Sequence, residues 1–236
     1  MSETIQFQPI GHVRCGFKQK FGIPRQPGLV NSMQAIIELA PDYASREAVR
    51  GLEQCSHIWL LFLFSECVGK GWAPLVRPPR LGGNQRLGVF ASRSPFRPNP
   101  VGLSPVRLDR VECRGEQVLL HVTGADLLDG TPIIDIKPYL PYSDRIDEAE
   151  FGLAQSIEQL ELPVEFSEQA AESCQRYGRD LDQPLARQIS EILRCDPRPA
   201  YKKGDSERVY GLQLHHLNIR WQITDQVIHV LEIEPV

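Results

Sequence analysis

The sequence predicts a mainly β chain: a closed or nearly closed β-barrel over residues 1–142, an acidic linker or surface segment over 143–165, and a small α+β domain over 166–236. Three observations predict it. Short apolar runs of strand length are joined by tight Gly- and Pro-rich connectors, one early helix is expected, and strands do not alternate with helices as βαβ units require. A chain of 236 residues can bury a proper core, as one large domain or as one domain with an appendage.

Taken in order, Phe7 to Phe17 and Gln34 to Leu39 read as strands. Between them Gly22-Ile23-Pro24-Arg25-Gln26-Pro27-Gly28 is a stiff loop with a charged tip, since two prolines and two glycines bracket a polar pair. Ser45 is expected to cap a helix ending near Gln54, with Ala48, Val49 and Leu52 on one side. Ser56 to Phe64, continuously apolar and rich in aromatics, predicts a strand buried on both faces. Gly69 to Gly83 is a loop dense in Gly, Pro and Arg, and Arg86 to Ala91 a strand feeding the next loop.

That loop is Arg93-Ser94-Pro95-Phe96-Arg97-Pro98-Asn99-Pro100-Val101-Gly102-Leu103-Ser104. Its prolines hold φ at about −65° and remove donors, which predicts a stiff connector outside any central strand. Pro105 to Glu112 and Gln117 to Thr123 form an expected hairpin turning at Cys113-Arg114-Gly115-Glu116. Pro132 to Lys137 is a strand stopped by Pro138-Tyr139-Leu140-Pro141-Tyr142. Leu128-Asp129-Gly130-Thr131-Pro132 before it reads as a type I turn or as a ligand loop. Beyond the acidic stretch, Ser167 to Tyr177 and Asp182 to Cys195 are expected helices, the second with Asp182 as N-cap and Leu185, Ile189, Ile192 and Leu193 as its apolar face. Strands follow at Val209 to Leu214, Leu217 to Thr224 and Gln226 to Glu234.

Composition narrows the function. The net charge of −4 argues against indiscriminate coating of nucleic acid, yet Arg77, Arg80, Arg86, Arg93, Arg97, Arg107 and Arg110 face only Asp109 as an acid in their stretch. Arginines suit planar, bidentate contacts to phosphate or carboxylate. The N-terminal residues Met1 to Gln6 lack a basic and then apolar pattern, and Ile58 to Phe64 is too short to span a bilayer, which predicts a cytoplasmic protein. Six scattered cysteines without a C-x-x-C pair predict reduced thiols. No histidine spacing suits a metal, no G-x-S-x-G or Cys–His pairing suggests a triad, and no Gly-rich phosphate loop is present. Rigid polar loops remain. On the strand at 132–137, alternation places Ile134 and Ile136 on one face and Asp135 and Lys137 on the other, either a surface pair or, if that face lines a pocket, an acid/base pair.

Together the loops Pro24–Gly28, Arg77-Pro78-Pro79-Arg80-Leu81-Gly82-Gly83, Gly88–Pro100 and Leu128–Tyr139 resemble the TsaA/TrmO family, the tRNA (adenine(37)-N6)-methyltransferases. Asp196-Pro197-Arg198-Pro199-Ala200-Tyr201 and Asn218-Ile219-Arg220-Trp221 resemble the C-terminal domain of its bacterial members. The resemblance implies a single-sheet barrel that binds S-adenosylmethionine outside any Rossmann fold. It also implies a homodimer that methylates N6 of threonylcarbamoyl-adenosine at position 37 of threonine tRNA.

Family cofactor contacts carry over to Pro24, Arg25, Gln26, Arg93, Leu103, Leu128, Asp129, Gly130 and Thr131. Ser65 and Glu66 stand where relatives place a His and a polar residue, and Glu66 is expected at a ribose hydroxyl. Arg97, Asn99, Arg198, Tyr201 and Arg220 are expected at the tRNA. For the implied substrate, Asp135 is the candidate base, with Lys137 and Tyr139 as orienting or acid partners. The rival expectations are a non-catalytic cofactor- or tRNA-binding module and a small-molecule methyltransferase. Removal of the chain after about Asp144 is expected to lower tRNA activity while cofactor still binds.

Overall fold

Alternation of apolar and polar residues shapes the N-terminal strands, and closing them on themselves gives a single interior to fill. A computed structural model describes residues 5–77, 86–152, 160–198 and 208–236. The strands are β1 Gly11–Cys15, β2 Gln34–Leu39, β3 His57–Leu63, a minor pair β4 Leu75–Val76 and β5 Leu87–Gly88, then β6 Val101–Arg114, β7 Gln117–Thr123 and β8 Pro132–Pro138. A closed barrel runs in the order β1-β2-β7-β6-β3-β8, with every adjacent pair antiparallel. Val13, Ile37, Ile58, Leu60, Phe62, Val106, Leu120, Val122 and Ile133 fill its interior.

Several elements differ from expectation, each for a physical reason. In β3 only Ile58, Leu60 and Phe62 are buried, and Trp59, Leu61 and Leu63 lie half-buried outside, because a closed barrel has one interior face. The stretch after Ser45 is a run of turns bonded Arg50 N to Glu47 O and Leu52 N to Val49 O, ending in a short 3-10 turn at Leu52–Gln54. Gly51, at φ +92°, breaks it before an α-helix can form. The strand expected at 86–91 shrinks to Leu87–Gly88 followed by a 3-10 turn at Val89–Ala91. Val101–Ser104 belong to β6 and pair with β3, so the proline loop ends at Pro100. In β8 the register slips between Leu61 and Phe62 of β3, which pair with Asp135 and Ile133. This bulge at Ile134 rephases the strand, so Ile133 and Ile136 face the core.

The second unit comprises β9 Val164–Phe166, α2 Glu168–Leu181, α3 Leu185–Arg194, β10 Tyr210–Leu214, β11 Leu217–Thr224 and β12 Val227–Pro235; α1 Pro141–Asp144 precedes it. Its sheet order is β10-β11-β12-β9, with β9 parallel to β12 and the rest antiparallel. Ser167 Oγ caps α2 by accepting from Ala170 N at 3.1 Å. Asp182 is not the N-cap of α3 but the left-handed C-cap of α2 at φ +51°, a conformation Asp tolerates. Ala170, Leu185, Ile189, Ile192, Leu212, Ile219, Trp221 and Val230 form the core. Three residues from the connection between β1 and β2, namely Phe17, Val30 and Met33, are buried in this second core and not in the barrel. Among the described residues no helix is long and apolar enough to cross a membrane.

Leu120 is fully buried at the centre of the barrel. Leu120→Ala is expected to lower unfolding free energy by about 2–5 kcal/mol, read as a lower denaturation midpoint with unchanged slope.

Candidate active site at the barrel rim

Because side chains fill the barrel, a ligand site has to form where its loops meet. A cavity of about 590 Å³ lies there, within the range of small-molecule sites. One wall is the β1–β2 connection, through Lys20, Ile23, Pro24, Arg25 and Gln26. Another is the end of β3 and the turn after it, with Trp59, Phe62, Phe64, Ser65 and Glu66. The remainder comes from Ser92, Arg93, Pro95, Phe96 and Arg97, from the start of β6 with Leu103 and Ser104, and from Asp126–Leu128 with Thr131.

Local sequence explains each wall. Gly102 lacks the Cβ that would sit 2.2 Å from Phe62 Cζ, so the ring of Phe62 lies across the strand there and meets Phe64 edge-on at 5.1 Å. Arg97 Nη1 donates to the carbonyls of Ser92 at 2.7 Å and Val89 at 3.1 Å, with its guanidinium 5.8 Å from the Phe90 ring. Arg97 therefore holds the proline loop in shape as well as lining the cavity. Arg93 donates to the side chain of Gln26, tying that loop to the β1–β2 connection. Lys20 and Glu66 pair at 2.7 Å between two walls, and the hydrogen bond from Lys20 holds the Glu66 carboxyl below the ordinary carboxylate range.

The Leu128–Thr131 segment is a turn closed by Thr131 N on Leu128 O at 3.1 Å. Gly130 has φ +78°, which belongs to a type II turn and not the type I expected. Leu128 and Thr131 line the cavity, whereas Asp129 and Gly130 do not. Asp129 instead accepts from Cys15 N at 2.9 Å and Lys18 Nζ at 2.6 Å, anchoring the turn to β1.

Of the expected cofactor residues, the cavity thus gathers Pro24, Arg25, Gln26, Ser65, Glu66, Arg93, Leu103, Leu128 and Thr131. The expected catalytic trio stands elsewhere. Asp135 and Lys137 pair at 2.8 Å on the outer side of β8, where the bulge turns them, and neither lines the cavity. Tyr139 reaches the rim indirectly, packing 5.5 Å from the Trp59 ring.

The expected tRNA residues are dispersed. Asn99 is exposed and outside the cavity walls. Arg198 is no surface contact, because it is buried with Asp196 at 2.8 Å. Arg220 pairs with Glu232 at 3.3 Å on the C-terminal sheet. Tyr201, like Pro78, Pro79, Arg80, Leu81, Gly82 and Gly83, lies outside the described residues.

Sequence reasoning missed Asp126. Its Oδ1 accepts from Ser104 Oγ at 2.7 Å inside the cavity. Burial pushes its carboxyl above the ordinary range, against the lowering effect of Ser104 and the nearby Arg93 charge. The available signal was an acid set between Ala125 and Leu127, both buried.

Aromatic rings, arginines and a buried carboxylate around one rim cavity define a barrel protein with a site for a charged, ring-bearing small molecule, built without a Rossmann unit. Comparison makes the class specific. The chain belongs to the TrmO family of tRNA methyltransferases: the profile of the tRNA-methyltransferase O N-terminal domain matches residues 12–145, and that of the TrmO C-terminal domain matches 159–236. It is 46% identical to the tRNA (adenine(37)-N6)-methyltransferase of Escherichia coli K12, across 98% of this chain and 99% of that one. It is 45% identical to a putative S-adenosylmethionine-dependent methyltransferase, RcsF, of Pseudomonas aeruginosa PAO1, across 98% of each. The crystal structure of TrmO from Pseudomonas aeruginosa superposes with a TM-score of 0.83 at 39% identity, covering 98% of this chain and 99% of that one.

Gly102→Ala forces the Phe62 ring out of its place. The expected result is at least about a tenfold loss of S-adenosylmethionine affinity by calorimetry, with the barrel's circular dichroism retained.

Proposed function

We propose that this protein is an S-adenosylmethionine-dependent tRNA methyltransferase that modifies N6 of adenosine 37. Its proposed acceptor is the threonylcarbamoyl-adenosine of threonine tRNA in the cytoplasm. The observation that carries the reading is the convergence of three motif segments, distant in sequence, on one cavity: Pro24, Arg25 and Gln26, the proline loop with Arg93 and Arg97, and the turn with Leu128 and Thr131. The walls suit the cofactor: Trp59, Phe62 and Phe64 offer aromatic faces, Arg25 and Arg93 suit a carboxylate, and Asp126 offers negative charge to a cation. When bound there, S-adenosylmethionine supplies a methyl group activated by a sulfonium.

The protein's own work is then orientation and proton removal. A carbamoyl group on N6 delocalises the nitrogen lone pair and makes its proton more acidic, so a base is needed at that atom. We assign it to Asp126, whose Oδ1 is fixed by Ser104 and whose Oδ2 takes the proton. Tyr139 supports the rim by packing against Trp59, and Asp135 and Lys137 pair with each other outside the cavity. With Arg25 and Arg93 given to the cofactor, Arg97 is the remaining arginine of the cavity wall for the acceptor's threonyl carboxylate. Phe90, Phe96 and Leu103 are large apolar side chains left exposed, and the reading includes a working homodimer.

Methyl incorporation is expected into tRNA from cells lacking this protein and not into tRNA without the threonylcarbamoyl group. Incorporation into neither, beside intact cofactor binding, would identify a binding module instead. Deprotonated Asp126 is the active form, so kcat/KM should fall as pH drops through its raised pKa. Asp126→Asn should lower kcat by about 10²–10⁴-fold and abolish that limb, whereas Asp135→Asn should leave the limb in place. Light scattering should report twice the mass of one chain.

A further inference from the structure

The connection between β1 and β2 belongs to two structures at once. Ile23–Gln26 form a cavity wall, yet the connection's apolar side chains face the C-terminal core: Phe17, Val30 and Met33 are each 1% exposed there, and Phe21, Ile23 and Leu29 pack against it. The grip extends along its length. At its start Gly16 O accepts from His215 N at 2.7 Å, in the β10–β11 turn. Midway, Gly22 at φ +94° lies so close to the sheet that a Cβ would come within 2.1 Å of Leu212 Cδ1.

At its end both Ser32 N and Ser32 Oγ donate to Glu191 Oε2 at 2.9 Å. The fully buried Gln188 donates through Nε2 to Ser32 O at 3.1 Å. Glu191 is itself fixed by Arg187 Nε at 2.8 Å. Burial alone would raise its carboxyl, and the bonds from Arg187 and Ser32 outweigh that and hold it below the ordinary range. From the barrel side, Gly28 N donates to Gly124 O at 2.9 Å.

We infer that Glu191 and Gln188 of α3 are positioning residues for the cofactor: they hold the β1–β2 connection so that Pro24, Arg25 and Gln26 stand ready in the cavity wall. This rests on the assignment of that wall to S-adenosylmethionine. The C-terminal domain then belongs to the cofactor site, and a barrel cut after about Asp144 would leave the wall without the core that buries Phe17, Val30 and Met33. A wall that is competent only part of the time binds more weakly by the same fraction, and preorganised groups lose less on binding.

The test measures S-adenosylmethionine Kd by calorimetry and tRNA Kd by filter binding on the full chain. Glu191→Ala should weaken cofactor about tenfold and leave tRNA affinity within about twofold. Glu191→Gln keeps an acceptor for Ser32 and should recover most of the loss. If Glu191→Ala does not fold, Ser32→Ala removes only the hydroxyl bond and should weaken cofactor by about threefold.

A positioning role also predicts coupling. In an Arg25→Ala/Gln26→Ala background, Glu191→Ala should add less than about a twofold loss. Equal losses in both backgrounds, or an unchanged Kd in the folded Glu191→Ala or Ser32→Ala protein, overturn the inference. An unchanged Kd in Arg25→Ala/Gln26→Ala alone overturns the cofactor assignment and the inference with it.

Discussion

The closed barrel imposes the constraint from which the rest follows. The interior of the six-stranded barrel is filled by Leu60, Leu120, Val122 and their neighbours, and the cavity lies at its end, where strand residues such as Phe62 and Ser104 meet connecting chain. Connecting chain is mobile unless something holds it, and here each segment has its own restraint. Arg97 ties its loop to the carbonyls of Val89 and Ser92. Asp129 ties the 128–131 turn to β1 through Cys15 and Lys18. The β1–β2 connection is held by a second hydrophobic core.

These restraints explain an uneven distribution of charge. The exposed carboxylates near the site are engaged: Glu66 with Lys20, and Asp135 with Lys137. Exposed ion pairs of this kind contribute little to stability, but they remove free negative charge from the neighbourhood of an anionic RNA. Asp126 differs. It accepts from the neutral hydroxyl of Ser104, and burial raises its carboxyl above the ordinary range although the Arg93 charge is near, which distinguishes it from the ion-paired acids.

Much of this was legible in the sequence, where local chemistry decides the outcome. The hairpin at Gly115, the strand at 132–138 and the helix capped by Ser167 follow from turn residues, alternation and capping, which tertiary contacts left in force. The motif loops could be read as a set because their prolines and arginines are conspicuous. Illegible features depend on closure or on distant neighbours. The bulge at Ile134 comes from register with β3, and it alone turns Asp135 outward. Arg198 was expected at the tRNA, and nothing local announces its burial with Asp196. Asp126 was hidden for the opposite reason, since an acid inside an apolar run reads as a turn residue until Ser104 is seen opposite it.

The β1–β2 connection shows why a boundary drawn along the chain differs from one drawn through cores. Its Gly-Ile-Pro-Arg-Gln-Pro-Gly tip advertises a loop, and a loop next to barrel strands is naturally credited to the barrel. Phe17, Val30 and Met33 flank that tip with apolar side chains that a solvated loop would not carry, and burying three such residues is worth several kcal/mol, at about 1.5–3 kcal/mol each. That burial is available only against α3 and the C-terminal sheet. The same contacts that stabilise the second core therefore also hold the chain segment that forms a wall of the first domain's cavity.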